Sequence, residues 1–172
     1  WGGGGQPQDV NLEKPLIAAI NGFAVGVGLN IILQCQLRVM ADTAWVGDQH
    51  TNVGRLGAPH EMYTALPRTT AAYLTLCNGR LTAQDCLQQA IVNKVVPREN
   101  LMAAAEELAE MVCLSSPLAV QAAVRLYRLT ASFPASLSAY ARDLDQEIAE
   151  TEDGAEGGRA FTEKRRPVWK LR

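Results

Sequence analysis

Residues 14–34 run Lys14-Pro15-Leu16-Ile17-Ala18-Ala19-Ile20-Asn21-Gly22-Phe23-Ala24-Val25-Gly26-Val27-Gly28-Leu29-Asn30-Ile31-Ile32-Leu33-Gln34. The apolar run Leu16 to Ile20 is bounded by Pro15 and by Asn21-Gly22, the pattern of a short strand buried on both faces. Apolar residues then continue from Gly28 to about Gln36, and this part reads as helix. Strand, glycine-spaced turn and helix follow one another. Gly22, Gly26 and Gly28 are expected to take backbone geometry that a Cβ would block. N–H groups in a helix's first turn have no intrahelical acceptor, so the start of this helix can hold a developing anion. A tight turn between packed elements accounts for the same pattern.

Outward from this segment, Leu37 to Ala41 predicts a second strand and Ala44 to Val46 a third, joined by a turn at Asp42-Thr43. The alternation makes a βαβ-like core. Gly54 to Pro67, with its glycines, prolines and His60, reads as loop and short helix. A helix follows from about Thr69 to Cys77, stopping before Asn78-Gly79. Thr82 with Asp85 three residues on puts a capping hydroxyl and a carboxylate at the start of a helix that reaches about Ala90. Ile91 to Val96 reads as strand, ended by Pro97. Beyond it the chain is helical. Leu101, Ala105, Leu108 and Val112 share one face, Leu118 to Leu129 form a second helix, and Leu137, Ala141, Leu144 and Ile148 mark a third. Packing within the chain and contact between subunits fit these faces equally well.

At 172 residues and 48% hydrophobic composition the chain can bury one core. A net charge of −2 with mixed signs excludes a general nucleic-acid surface; only the tail is locally basic. Cys35, Cys77, Cys86 and Cys113 form no C-x-x-C pair and read as buried free thiols. No signal-like start and no membrane-length apolar stretch is present, so the expected place is the cytoplasm or another reducing intracellular compartment. His50 and His60 lack the spacing and third partner of a zinc site, so no metal is expected. Gly26-Val27-Gly28-Leu29-Asn30-Ile31 lacks the third glycine of a dinucleotide fingerprint. Trp1 and the glycines behind it look like part of something longer.

Three separated stretches resemble the crotonase superfamily, the enoyl-CoA hydratase/isomerase family. Lys14 to Ala24 is similar to the strand and turn that carry the family's second oxyanion-hole amide. Gly79-Arg80-Leu81-Thr82-Ala83-Gln84-Asp85 with Val92-Asn93-Lys94-Val95-Val96-Pro97 resembles its helix and final core strand. Glu156-Gly157 through Ala160-Phe161-Thr162-Glu163-Lys164-Arg165-Arg166-Pro167-Val168-Trp169 resembles its C-terminal signature. The resemblance implies an α/β fold of the ClpP/crotonase type, a β-spiral core with C-terminal helices. Residues 14–128 would form the core, and residues 129–172 a helical region for oligomerisation and CoA contact. Residues 1–13 stay an unmatched polar and glycine-rich segment. The family's N-terminal portion, which supplies the other oxyanion-hole amide, has no counterpart in this sequence.

By this resemblance the Val27 amide is the oxyanion donor, with Ala24, Gly26 and Gly28 along the thioester. The family's common hydratases use two glutamates, and here those positions fall on Asn30 and His50. An amide cannot exchange a proton at neutral pH, so Asn30 can only orient a water or carbonyl. His50 can carry a proton, and Asp48, two residues earlier in an extended segment, would project to the same side and fix its tautomer. Either His60 or Glu61 can supply a second proton-transfer group, unless the two form a solvated loop pair. Phe161 and Lys164 resemble residues near the nucleotide end of CoA, although a short basic tail is also ordinary solvated surface.

The resemblance thus implies a hydratase or isomerase acting on an acyl-CoA thioester through a stabilised enolate. CoA arrives as part of the substrate, and neither a separate cofactor nor a metal is needed. A homotrimer or a dimer of trimers is expected. Two alternatives stay open: a thioester or C–C bond hydrolase on the same fold, and a non-catalytic CoA-binding or assembly subunit that lost both glutamates.

Overall fold

The computed structural model describes residues 12–130 and 134–170. The expected segment 1–13 lies outside the described residues up to residue 11. In chain order the elements are β1 (Ile17–Ile20), β2 (Ala24–Val25), α1 (Val27–Gln34), β3 (Leu37–Ala41), β4 (Trp45–Gly47), α2 (Pro59–Ala65) and α3 (Arg68–Cys77). β5 (Arg80–Thr82), α4 (Ala83–Gln88), β6 (Lys94–Val96), α5 (Leu101–Cys113), α6 (Pro117–Thr130), α7 (Ala135–Ala149) and α8 (Glu152–Thr162) complete the fold. Two compact units share the chain, one made of Trp1–Gly47 with Arg80–Ser132 and the other of Asp48–Gly79 with Phe133–Arg172.

In the first unit the expected βαβ core is present. β1 pairs in parallel with β3, and β3 with β6, giving the order β1-β3-β6. Val39 is fully buried against Leu101, Ala104 and Ala105 of α5, with Ile17, Ala19, Val96 and Leu108 around them. Each such aliphatic side chain contributes about 1.5–3 kcal/mol when fully buried. The end of α1 is closed by Arg38 of β3, whose guanidinium donates from Nε to the Ile32 carbonyl at 2.6 Å and from Nη2 to Leu33 at 2.7 Å. Its Nη1 reaches Ile91 O at 2.9 Å. One side chain thereby satisfies the last carbonyls of α1 and favours the negative end of its dipole.

A second sheet, β2-β4-β5, was not foreseen. β2 runs parallel to β4 and β5 antiparallel to it. Strands of two or three residues leave too little alternation to be recognised. The expected strand Ile91–Val96 is also shorter, beginning at Lys94. Ala90 takes a left-handed φ of 55°, and the Ile91 N–H bonds to Cys86 O at 2.8 Å while Ala90 N–H bonds to Leu87 O at 3.1 Å. This Schellman closure of α4 consumes the residues that would have begun the strand. At the other end of α4 the expected cap is complete: Thr82 Oγ1 accepts from Asp85 N–H, and the Asp85 carboxylate accepts from Thr82 N–H.

In the second unit α2 and α3 pack together, and Met62, Leu66, Ala71 and Leu74 along this stretch are buried. α8, which the sequence pattern left without an element, packs against α7 and against a single 3-10 turn at Thr51–Val53. Its glycines lower its helix propensity, and two of them have a steric reason: a Cβ on Gly154 would run into the Ile148 carbonyl oxygen. A Cβ on Gly157 would run into the Val53 backbone. Thr151 caps this helix by accepting from Gly154 N–H at 3.0 Å. The cysteine expectation is corrected in part: Cys35 and Cys86 are buried free thiols, whereas Cys77 and Cys113 are exposed. No single helix among the described residues is long and apolar enough to cross a membrane.

Candidate active site

In the first unit, Gly26 at the entry to α1 has φ 56° and ψ −114°, a conformation open to glycine and strained for any L side chain. Its N–H donates to Gly47 O at 3.1 Å and its carbonyl accepts Asn30 N–H at 3.1 Å, so the elbow is tied to β4 and to the first helical turn. Val27, Gly28 and Leu29 follow as the first residues of α1, where an N–H has no acceptor within the helix. The other two glycines differ from expectation. Neither Gly22 nor Gly28 has positive φ; a Cβ on Gly22 meets nothing within 4 Å, and one on Gly28 would touch Ala24 at an ordinary 3.7 Å. Gly26 alone requires glycine at this elbow. Ala24 is buried, Asn30 half-buried, and the Val27 side chain exposed.

The second unit holds the titratable group. His50 Nδ1–H donates to Asp48 Oδ1 at 2.5 Å, and the His50 backbone N–H approaches the same oxygen at 3.4 Å. The route differs from the extended alternation expected. His50 has φ −61° and ψ −48° and starts the 3-10 turn, so the carboxylate reaches the ring by bracketing the turn's first residue. Asp48 is 1% exposed, and its Oδ2 is buried with no hydrogen-bond partner among the described residues. That bond holds the His50 pKa above its ordinary 6.5, with burial pulling it down and the Asp48 and Asp145 charges adding to the rise while Arg55 opposes it. Because a carboxylate oxygen accepts the Nδ1 proton, the neutral ring keeps its lone pair on Nε2. The ring is a quarter exposed.

Around this pair the chain is pinned at several points. Thr51 Oγ1 donates to Thr75 O at 2.7 Å, Asn52 N–H to Asn78 Oδ1 at 3.1 Å, and Gln49 Nε2 to Asn78 O at 3.0 Å. Gly57, with φ 66°, lies against the imidazole so closely that a Cβ would sit 2.5 Å from Nδ1 and 2.7 Å from Cγ. Arg55 Nε donates to Asp145 Oδ1 at 3.0 Å, Nη2 pairs with Oδ2, and Leu56 N–H donates to Oδ1 at 2.8 Å.

Residues 8–172 match the family described as enoyl-CoA hydratase/isomerase. The chain belongs to that family. The carnitinyl-CoA dehydratase of Shigella flexneri is 36% identical over 170 residues, 94% of this chain and 65% of that protein. The structure of a carnitinyl-CoA hydratase from Mycobacterium avium superimposes with a TM-score of 0.85 at 33% identity, over 94% of this chain and 64% of that one. An enoyl-CoA hydratase/isomerase from Pseudoalteromonas atlantica gives a TM-score of 0.80 at 27% identity, over 93% and 66%. The crotonase-like α/β fold implied by the sequence is therefore the fold of this chain, which spans 65% of the length of the Shigella flexneri dehydratase.

Within this enoyl-CoA hydratase/isomerase member, the remaining candidates divide by environment. His60 and Glu61 are not a solvated loop pair: both lie in the first turn of α2 and are partly buried. Burial raises the Glu61 pKa, with His60 acting in the opposite direction. Phe161 is exposed near the end of α8, and Lys164 follows that helix with a left-handed φ of 54°. Lys164 N–H bonds to Phe161 O at 3.3 Å and Arg165 N–H to Ala160 O at 3.0 Å, a second Schellman closure with lysine where glycine is usual. Arg165 is already committed, donating to Glu156 at 2.5 and 3.0 Å and to Glu163 at 2.6 Å. The strap of Arg55, Gly57 and Asp145 went unread. Its partners are 90 residues apart, and Gly57 is its only sequence signal. Among the described residues no group of three His, Cys, Asp or Glu side chains could hold a metal ion.

Proposed function

We propose that this protein is an enzyme acting on an acyl-CoA thioester, a hydratase/dehydratase or isomerase that works through an enolate. The observation that carries this is the buried Asp48 carboxylate on His50 Nδ1 at 2.5 Å, in a chain of the enoyl-CoA hydratase/isomerase family. His50 Nε2 takes the proton from the carbon next to the thioester carbonyl. The electron pair moves onto the carbonyl oxygen, and the Val27 N–H donates to that oxyanion. Ala24, Gly26 and Gly28 line the thioester, and Asn30 orients a water or a carbonyl. In dehydration the β-carbon–oxygen bond then breaks and the oxygen leaves as water after receiving a proton. Glu61, whose raised pKa suits a proton donor, is the residue we assign to that step. The names of the relatives make carnitinyl-CoA the first substrate to test.

CoA arrives within the substrate, and Phe161 and Lys164 are assigned to its nucleotide end. Lysine in the left-handed position of a helix end costs about 1 kcal/mol, which is consistent with retention for its charge. We further propose a core at 14–128, a C-terminal helical region at 129–172 that serves self-association as a trimer or dimer of trimers, and a reducing cytoplasmic location consistent with four free cysteines.

The test is Val27→Pro in the full chain. Proline is tolerated at the first helical position, so the variant removes the N–H and keeps the helix. Loss of one oxyanion donor costs about 3 kcal/mol, a fall in kcat of about 100-fold or more with substrate still bound. Turnover is followed by the ultraviolet absorbance of the enoyl thioester, with free thiol measured in parallel. Full activity in Val27→Pro removes the assigned oxyanion donor. Free CoA as the sole product points to the hydrolase, and CoA binding without turnover in the unaltered chain points to the non-catalytic subunit.

A further inference from the structure

The turn that bears His50 is held from below by α3 through Thr75 and Asn78, and from α8 by the close approach of Gly157 to Val53. Neither contact touches the imidazole. The ring is bounded instead by Gly57, whose conformation and absent side chain let the backbone rest on Nδ1, Cγ and Cε1. Gly57 cannot hold that place alone, because it lies in a loop that belongs to no helix or strand. What holds it is one carboxylate on α7. Asp145 receives Arg55 Nε at 3.0 Å, the Arg55 Nη2 and Leu56 N–H at 2.8 Å, so three donors from two consecutive residues converge on it immediately before Gly57. The Arg55 pair holds the Asp145 pKa below its ordinary 3.8, so this carboxylate is ionised wherever His50 titrates.

We propose that Asp145 is a positioning residue for the reaction, acting on His50 through the strap Arg55-Leu56-Gly57 that it anchors. This rests on the reading of His50 as the proton carrier. The strap does two separable things. Its backbone confines the ring in the orientation that keeps Nδ1 on Asp48. Its charges act on the ring with opposite signs, Asp145 favouring the protonated imidazole and Arg55 disfavouring it. The charged groups that act on His50 are therefore Asp48, Asp145 and Arg55. A purely structural strap would give both substitutions the same effect on the ring, loosening. A strap that also tunes basicity gives effects of opposite sign.

The experiment is an imidazole-nitrogen NMR titration of the full chain. It has two histidines, and His60→Gln assigns the signals. Asp145→Asn keeps an oxygen for the Leu56 N–H but loses the charge and the Arg55 pair; the His50 midpoint is expected to move to lower pH. Arg55→Gln leaves Asp145 on Leu56 N–H and removes the opposing cation; the midpoint is expected to move to higher pH. Asp145→Glu, which restores the charge, is expected to return the midpoint towards that of the unaltered chain. In turnover, Asp145→Asn lowers kcat by about 10-fold or more with little change in KM, the pattern of a misdirected proton carrier. Unchanged midpoints in both variants, or shifts in the same direction, overturn the proposal. If Asp145→Asn does not fold, Arg55→Gln decides alone, and a midpoint that is unchanged or lowered refutes it. The titration reads the ring whether or not the chain turns over a thioester, so its failure is distinct from failure of the proposed activity.

Discussion

Replacing Gly57 with alanine puts a methyl group 2.5 Å from His50 Nδ1, 2.7 Å from Cγ and 2.9 Å from Cε1. Carbon and a ring atom settle at about 3.5 Å, so ring or loop must retreat by about 1 Å. The loop is the stiffer partner, since Leu56 is tied to Asp145 at 2.8 Å on the adjacent residue. The ring therefore moves, and it cannot also keep a 2.5 Å bond to Asp48. A 1 Å misplacement of a catalytic group costs about 100-fold in rate. Independently, alanine at φ 66° carries about 1–2 kcal/mol of backbone strain, a fall in Tm of about 2–8 °C. The measurement pairs thermal unfolding with the His50 ring signals and with turnover. Gly158→Ala is the control, since a Cβ on this α8 glycine meets nothing within 4 Å and its helix gains about 0.5–1 kcal/mol. Undisturbed ring signals in Gly57→Ala, with turnover equal to that of Gly158→Ala, would refute the packing argument.

Three further outcomes follow from the charges. On the proposed role His50 must be deprotonated to take a proton, so kcat/KM is expected to rise with pH along a limb set by its pKa, which Asp48 holds above the ordinary value; Asp48→Asn is expected to move that limb to lower pH in a pH–rate profile. The same raised pKa means that the pair's contribution to stability is complete below the unfolded value of 6.5 and is lost as pH rises through the folded value, so Asp48→Asn loses that slope in chemical denaturation. Glu156 is held down to about 2, first by the Arg165 side chain and then by Val168 N–H, against 4.5 unperturbed. Its contribution is present above pH 4.5 and lost as pH falls towards 2, so Glu156→Gln should unfold with a weaker acid dependence over that window, measured by urea titration at successive pH values.

Long, strongly patterned segments were legible in the sequence. Leu16 to Gln34 declared β1, the turn and α1, and the hydroxyl–carboxylate pair at Thr82 and Asp85 declared a capped helix, because these signals are local. What escaped depended on partners remote in sequence. β2 and β5 exist only because β4 lies between them, and Ile91-Val92 reads as strand until Ala90 is seen to close α4. α8 contains three glycines that argue against a helix, one of which is there because the Val53 backbone needs the space. At the site, Asp48 and His50 were readable as a pair although their backbone was mistaken for extended. Asp145 was readable only as one more acid on a helix. Nothing in its neighbourhood reports that its partner is Arg55.

The separation of those two partners bears on how the protein is made. Synthesis proceeds from the N-terminus, and the ion pair that fastens the Arg55 loop waits for a residue 90 positions later. A nascent or prematurely terminated chain that ends before α7 carries the imidazole and its carboxylate but nothing to hold Gly57 over them. Closing so long a loop is entropically unfavourable until the intervening strands and helices have already condensed. On the proposed role of His50, chemical competence is thus a late event in biogenesis, and fragments released by stalled ribosomes or by proteolysis between α6 and α7 should be inert rather than loosely active.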